Sequence, residues 1–277
     1  LFSVFHAFPI TIFSPLAFLS RPERWLWALS DSGGTLSPAP NFAYELSARK
    51  ITDDLIQGVD LSRWRVAING AEAVLPETLE RFAERFAPYG FRAESYLPCY
   101  GLAESSVALT IPPINRRPVI DSIRRDVFER QGRAVPVAPH ESKTIRFVAN
   151  GKPLAEHEVQ IVDDGDRPLG ERVQGRLLFR GPSITAGYFR NDQATRAAIN
   201  EDGWMDSGDL AYWADGEVYI TGRKKDTIIK AGHNIAPQEV EAAAAEVAGV
   251  RRGCVSAFGT LDRDTGTEKL VVVAEMR

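Results

Sequence analysis

The chain opens on a strongly apolar stretch, Leu1 to Leu19, interrupted by His6, Pro9 and Pro15. It reads as buried core rather than a membrane span. The prolines break it, it barely reaches the ~20 residues a spanning helix needs, and it lacks the basic start and small-residue cleavage site of a signal peptide. From Thr11 to about Ile111, short apolar runs alternate with helical periods, the pattern of β-α units feeding a parallel sheet. Pro22 opens a helix with Trp25, Leu26 and Leu29 on one face and Gly33-Gly34 after its end. Pro40 opens a second, with Phe42 and Leu46 four apart. The clearest runs from Pro76 to Ala87, where Leu79, Phe82, Ala83 and Phe86 recur at helical spacing before Pro88 and Gly90 stop it. Strands are expected over Thr35 to Ser37, Arg65 to Ile68 and Arg92 to Leu97.

From Pro112 to Lys143 the helical rhythm lapses, and an extended connection is expected. Beyond it the pattern turns to short strands: Ile145 to Phe147, Val159 to Val162, Arg176 to Phe179 and Val218 to Ile220. Asp164-Gly165 and Asp215-Gly216 sit between such runs as hairpin-turn candidates, because Asp-Gly accepts the positive φ angles of a type I′ turn. A charged break, Lys224-Lys225-Asp226, precedes a strand (Thr227 to Lys230), a turn at Gly232, a helix from Pro237 to Val247 ended by Gly249, and strands Gly253 to Phe258 and Leu270 to Ala274. The fold class is therefore α/β. A parallel-sheet β-α subdomain spans 1–111, a connection 112–143 and a β-rich subdomain, a distorted barrel, 144–223. The start of a small α+β C-terminal domain follows over 224–277, with the boundary at Arg223 to Asp226.

Composition narrows the function. At 277 residues and 44% apolar, the chain can bury a sizeable core in more than one domain, which excludes disorder and collagen. Its 33 basic against 37 acidic residues, net −4, leave no excess of cations for a phosphate backbone, so nucleic-acid binding is excluded as the main role. Cys99 and Cys254 form no C-x-x-C and neighbour no histidine pair, which removes a disulfide framework and a structural zinc and points to a reducing cytoplasm.

Four segments carry candidate chemistry. Asn69-Gly70-Ala71-Glu72 follows a strand and precedes a helix, where open α/β sheets bind ligands, and its small residues let a flat ring approach the backbone. Alone it is equally a plain β-α turn. Tyr100-Gly101-Leu102-Ala103-Glu104 follows the next strand and offers a ring for stacking and a carboxylate for Mg²⁺, with ordinary packing and an exposed charge as the alternatives. Trp204 to Leu210 adds Asp209 after a tight turn. Gly222 to Asp226 adds Arg223, whose guanidinium suits ribose or phosphate oxygens, although a basic run is equally a solvated linker.

Together these segments resemble a known family. NGAE, YGLAE, GRLLFRGPSITAGYF, WMDSGDL and GRKKDTIIKAGHNIAPQEVE stand in the order and approximate spacing of the adenylate-forming superfamily of acyl-CoA synthetases, adenylation domains and luciferases. Within it the chain looks most like fatty acyl-AMP ligases, through SPLAFLSRPERWLWALS, PAPNFAYELSARKI, DLSRWRVAINGAEAV and ETLERFAERFAPYGFRAESYLPCYGLAES. The connection around Ile123 to His140 resembles the insertion that sets these ligases apart, associated with transfer of the acyl group to the phosphopantetheine arm of an acyl carrier protein rather than to free CoA.

The resemblance implies ATP and Mg²⁺ as cofactors and a fatty acid as substrate. Asn69, Gly70, Ala71 and Tyr100 would line the adenine, with Glu72 and Gly101 in the same nucleotide-binding set. Glu104 would bind the magnesium, Asp209 the ribose hydroxyls, and Arg223 the same sugar. Lys225 matches the hinge about which the small domain rotates between half-reactions. Phe42 and Tyr44 would border the acyl tunnel. No catalytic role falls to Cys99, Cys254, Ser106 or the histidines: His6 and His157 read as packing or surface residues, His140 lies in the insertion-like connection, and His233 sits where the superfamily's glycine-rich loop varies.

Two parts of the family pattern have no counterpart in this sequence, the Ser/Thr/Gly-rich phosphate loop and the late catalytic lysine. Asp31 to Thr35 superficially resembles the loop but follows a helix, whereas phosphate loops run from strand into helix, so it reads as a helix stop. The expectation is an incomplete fatty acyl-AMP ligase, truncated at both ends and weak or inactive alone. The alternatives are an acyl-CoA synthetase, a non-catalytic nucleotide- or acyl-binding module, and an interaction surface in an assembly line.

Overall fold

A computed structural model describes residues 2–138, 141, 143–230, 233–262 and 267–276. The positions of His140 and the turn at Gly232 lie outside these. The chain divides into two compact units, Leu1–Tyr100 with Ile111–Val119 and Gly101–Thr110 with Ile120–Arg277.

The first unit begins with two short helices, α1 (Phe2–His6) and α2 (Pro15–Ser20). The expectation that this apolar stretch is buried core is corrected here: Val4, Phe5, Ile12 and Leu16 are exposed, and among the described residues of the stretch only Phe18 is buried, edge-on to Trp25. The reason lies in Pro9 and Pro15, which interrupt helical hydrogen bonding and leave pieces too short to present one continuous apolar face. Among the described residues no helix is long and apolar enough to cross a membrane.

Helix α3 (Glu23–Ser32) follows Pro22 and stops at Gly33, whose left-handed φ of 59° lets its N–H reach Leu29 and Ser30. Then come β1 (Leu36–Ala39), α4 (Asn41–Lys50), β2 (Val66–Asn69), α5 (Pro76–Phe86) and β3 (Tyr96–Pro98). The strands form the expected parallel sheet in the order β1-β2-β3. β3 is shorter than expected because a 3-10 turn, Ala93–Ser95, takes up the first half of the run. The core is aromatic: Trp25, Tyr44, Trp64, Phe82 and Tyr96 are buried and meet mostly edge to face, with ring centroids 5.0 Å apart for Tyr44 and Phe82 and 5.2 Å for Trp25 and Trp64.

In the second unit the connection is more than extended chain. It holds β5 (Ile120–Arg124) and α6 (Arg125–Gln131), and β5 pairs antiparallel with β6 (Thr144–Val148). At seven residues burying only Phe128, α6 is too short to show a periodic face. Short strands stand at Thr110–Ile111 (β4) and Lys152–Pro153 (β7). A four-stranded antiparallel sheet, ordered β11-β10-β9-β8, comprises β8 (Glu158–Val162), β9 (Gly175–Arg180), β10 (Met205–Ala214) and β11 (Glu217–Arg223), with α7 (Asp192–Ala198) between β9 and β10. The sheets stay open, and no closed barrel forms among the described residues.

The Asp215-Gly216 hairpin turn is as expected, with φ of 53° and 72°. Near Asp164-Gly165 the positive φ falls instead on Asp166, while Asp163 Oδ1 accepts from Gly165 and Arg167 N–H. The unit ends with β12 (Ile228–Lys230), β13 (His233–Ile235), α8 (Pro237–Ala245) and a long hairpin of β14 (Val250–Asp262) and β15 (Thr267–Met276).

Candidate active site

In the first unit, register gathers the candidate residues. Ala39 pairs with Asn69 and Asn69 with Pro98, so all three parallel strands end level. The segments leaving them, Pro40 to Phe42, Gly70 to Glu72 and Cys99 to Tyr100, therefore emerge at one carboxyl edge, where open α/β sheets take ligands. These segments are tied together. Phe42 N–H donates to Glu72 Oε1 at 2.5 Å, and Cys99 N–H donates to the Asn69 carbonyl at 2.9 Å. A Cβ on Gly70 would lie 3.0 Å from the Cys99 carbonyl oxygen and 3.2 Å from its Sγ, so this close approach needs glycine. Ala71 holds a φ of 70°, a conformation costly for a residue with a side chain, and it is exposed.

Asn69 itself is fully buried under this edge. Its Nδ2 donates to Asn41 Oδ1, which also accepts Leu75 N–H, and its Oδ1 has no hydrogen-bond partner among the described residues. Tyr44 is likewise enclosed, its hydroxyl donating to the Ile68 carbonyl and its phenol pushed upward by burial. Phe42 is about half exposed at the same edge. Tyr100 is half-buried there.

In the second unit, Glu104 sits in a 3-10 turn, Ala103–Ser105. The turn is tightly wound. A Cβ on Gly101 would fall 1.8 Å from the Val107 carbonyl oxygen, and Ser106 and Val107 take left-handed φ values of 54° and 91°. Tyr188, not among the residues expected from sequence, donates its hydroxyl to Glu104 Oε1 at 2.8 Å, and that hydrogen bond raises the phenol's pKa. The signal was present as the GYF of the GRLLFRGPSITAGYF segment, but nothing local ties a tyrosine to a glutamate 84 positions away.

One carboxylate oxygen of Glu104 is thus fixed, and the other carries no hydrogen bond among the described residues. Among those residues no cluster of three or more His, Cys, Asp or Glu side chains could cage a metal by itself. A single half-buried carboxylate with a spare oxygen suits Mg²⁺, which keeps most of its waters and takes the rest of its shell from substrate phosphates.

Asp209 and Arg223 come together through two irregularities in the sheet. Between β10 and β9 the register slips across Asp206 to Leu210, where Gly208 takes a φ of 75° and Ser207 Oγ donates to the Leu177 carbonyl. Between β10 and β11 it slips again at Leu210/Ala211, and one extra residue near Thr221 brings Arg223 opposite Asp209. Without that bulge Asp209 would face Gly222 and Arg223 would point to the other side of the sheet. The outcome is an ion pair at 3.4 Å between a nearly buried carboxylate and an exposed guanidinium. The tight turn expected in WMDSGDL is thus a bulge inside a ten-residue strand. Gly222, at φ 151°, permits the second bulge. Gly222→Ala is expected to cost about 1–3 kcal/mol in strain, read as a lower urea midpoint at unchanged slope. Lys225 lies exposed in the 3-10 turn Lys224–Asp226, next to Lys224, which pairs with Asp164 at 2.6 Å.

Comparison with known proteins identifies the family. The family model for AMP-binding enzymes matches residues 1–189. Similar proteins include a putative acyl-CoA synthetase of Caulobacter vibrioides, 37% identical over 87% of this chain and 42% of its own length. They also include the medium-chain-fatty-acid–[acyl-carrier-protein] ligase JamA of Moorena producens, 35% identical over 99% of this chain and 48% of its own. A solved structure from studies of fatty acyl-adenylate ligases of E. coli and L. pneumophila superposes with a TM-score of 0.86 at 39% identity, over 94% of this chain and 46% of that one. The chain thus spans less than half the length of each of these proteins. With the family model covering well over half of the chain, and with the level strand ends and bulged Asp209–Arg223 pair described above, the chain belongs to the AMP-binding, adenylate-forming enzyme family.

Proposed function

We propose that this chain carries the nucleotide-binding part of a fatty acyl-AMP ligase. A fatty carboxylate oxygen attacks the α-phosphorus of ATP, the bond to the bridging oxygen breaks, and pyrophosphate leaves with the electron pair. A phosphopantetheine thiol of an acyl carrier protein then attacks the acyl carbonyl, loses its proton, and displaces AMP. The observation that carries the reading is the Glu104 carboxylate, held by Tyr188 with one oxygen to spare.

In this reading Glu104 would hold a magnesium ion, which would supply charge stabilisation for the phosphates. In the first unit Gly70, Ala71, Glu72 and Tyr100 are the adenine-binding residues, with the exposed Ala71 backbone offering a flat approach and the buried Asn69 supporting the strand end from which they leave; Gly101 belongs to the same nucleotide-binding set. Asp209 accepts from the ribose hydroxyls, and Arg223, paired with it at 3.4 Å, donates to the sugar. Phe42 borders the acyl chain, and Tyr44, two residues on in the same helix, takes its part in the acyl tunnel from within the core, where its hydroxyl is held by the Ile68 carbonyl. Lys225 marks the hinge between a large domain over 1–223 and a small domain over 224–277, with 112–143 as the family insertion. Catalysis comes from orientation and charge stabilisation, with no covalent enzyme intermediate.

The test is ATP–pyrophosphate exchange driven by a panel of fatty acids, on the full-length protein that carries this chain, with Glu104→Ala beside it. Fatty-acid-dependent exchange that falls at least ~100-fold in the mutant supports the reading, a loss on the scale of one positioned charge-stabilising group. Nucleotide binding without exchange would instead favour a non-catalytic module. The likeness to an acyl-CoA synthetase favours a second reading, in which free CoA is the acceptor. Offering CoA and a carrier protein to the preformed adenylate separates the two.

A further inference from the structure

His157 has no part in the scheme above, yet it stands at the head of a chain of hydrogen bonds that ends on the turn bearing Glu104. Its Nδ1 lies 2.9 Å from the Ala155 carbonyl, and its Nε2 lies 2.7 Å from Ser183 Oγ. Ser183 in turn donates its hydroxyl to the Ser105 carbonyl at 2.8 Å. A hydroxyl has one hydrogen to give, so with Ser183 donating to Ser105 the ring must donate from Nε2; a neutral imidazole carries one N–H, and the approach of Nδ1 to the Ala155 carbonyl is then a packing contact, not a hydrogen bond. Two further bonds close the clamp: Ser106 Oγ donates to the Ser183 carbonyl at 2.9 Å, and Thr185 N–H donates to the Glu104 carbonyl at 2.8 Å.

The backbone opposite is shaped to receive the imidazole. A Cβ on Gly181 would lie 2.4 Å from His157 Cδ2 and 2.7 Å from Cγ, so the ring rests directly on a bare glycine. The clamped turn, for its part, cannot hold itself. Val107 is β-branched at a φ of 91° and Ser106 is also left-handed, conformations that persist only when the surroundings impose them.

We propose that His157 is a positioning residue for Glu104. Seated between the Ala155 carbonyl and Gly181, the imidazole holds the Ser183 hydroxyl on the Ser105 carbonyl, which fixes the strained turn and aims the Glu104 carboxylate. Tyr188 sets the far end of that side chain, and His157 sets its base. This rests on the assignment of Glu104 as the magnesium ligand.

The test measures ATP binding by calorimetry with and without Mg²⁺, on the full-length protein, for wild type, Glu104→Ala, His157→Ala, His157→Gln, Ser183→Ala and Gly181→Ala. His157→Ala, Ser183→Ala and Gly181→Ala are expected to reduce the gain in affinity that Mg²⁺ confers by about ten-fold, the scale of one lost hydrogen bond to a charged site. Affinity measured in EDTA should stay unchanged. His157→Gln should restore much of the gain, because its amide nitrogen reaches Ser183 from a similar position. Should His157→Ala fail to fold, Ser183→Ala and His157→Gln carry the comparison. A wild-type magnesium gain in the His157 and Ser183 variants, alongside its loss in Glu104→Ala, would overturn the positioning role. If Glu104→Ala itself keeps the gain, the magnesium assignment fails first and takes this role with it.

Discussion

Gly101→Ala is expected to lower magnesium-dependent ATP binding by ~100-fold while leaving the far-UV circular dichroism spectrum close to wild type, because a misplacement of about 1 Å can cost that much. The added Cβ would meet the Val107 carbonyl oxygen at 1.8 Å and Ala108 Cα at 2.8 Å. Both are backbone atoms, so no side chain can swing away to make room. The turn between Gly101 and Val107 has to open, and Glu104 rides on it. Regular elements lie outside this turn, which is why secondary structure should survive. Calorimetry in Mg²⁺ and in EDTA checks the expectation, and wild-type affinity in both would show that the turn has no bearing on nucleotide binding.

The largest stability effect belongs to Phe82→Ala. Phe82 is fully buried at the centre of the first unit's aromatic core, with ring centroids 4.5 Å from Phe86 and 5.0 Å from both Tyr44 and Phe91. Truncating a buried phenylalanine costs about 3–5 kcal/mol in lost transfer energy and cavity, against the ~5–15 kcal/mol that holds a typical domain together. Urea unfolding followed by tryptophan fluorescence should show a large drop in midpoint, since Trp25 and Trp64 report on the same cluster. Phe42→Ala serves as the contrast: its half-exposed ring predicts a change of only about 0.5 kcal/mol. Equal effects of the two substitutions would mean that the aromatic cluster does not hold the unit together.

Much of this was legible from local pattern. Helix α5 was readable because eleven residues are long enough to repeat an apolar face three times, and Pro76 marks its start. The Asp215-Gly216 turn was readable because its two φ angles are a property of the dipeptide. β10 was missed, since Asp206 to Asp209 break its alternation and Gly208 mimics the end of a strand. α6 was missed because it buries one side chain, and the N-terminal apolar stretch was misplaced because burial depends on what covers a residue.

The sequence by itself determined the α/β class, the parallel sheet with its helices, the identity of the candidate residues and the family, since each is encoded in short-range spacing or in ordered motifs. Tertiary structure alone decided how those residues meet. A single-residue bulge turns Arg223 onto Asp209, level strand ends bring Phe42, Glu72 and Tyr100 to one edge, and Tyr188 finds Glu104 from 84 positions away. Registers and bulges follow from the sum of many weak pairings across strands, so no window of sequence contains them.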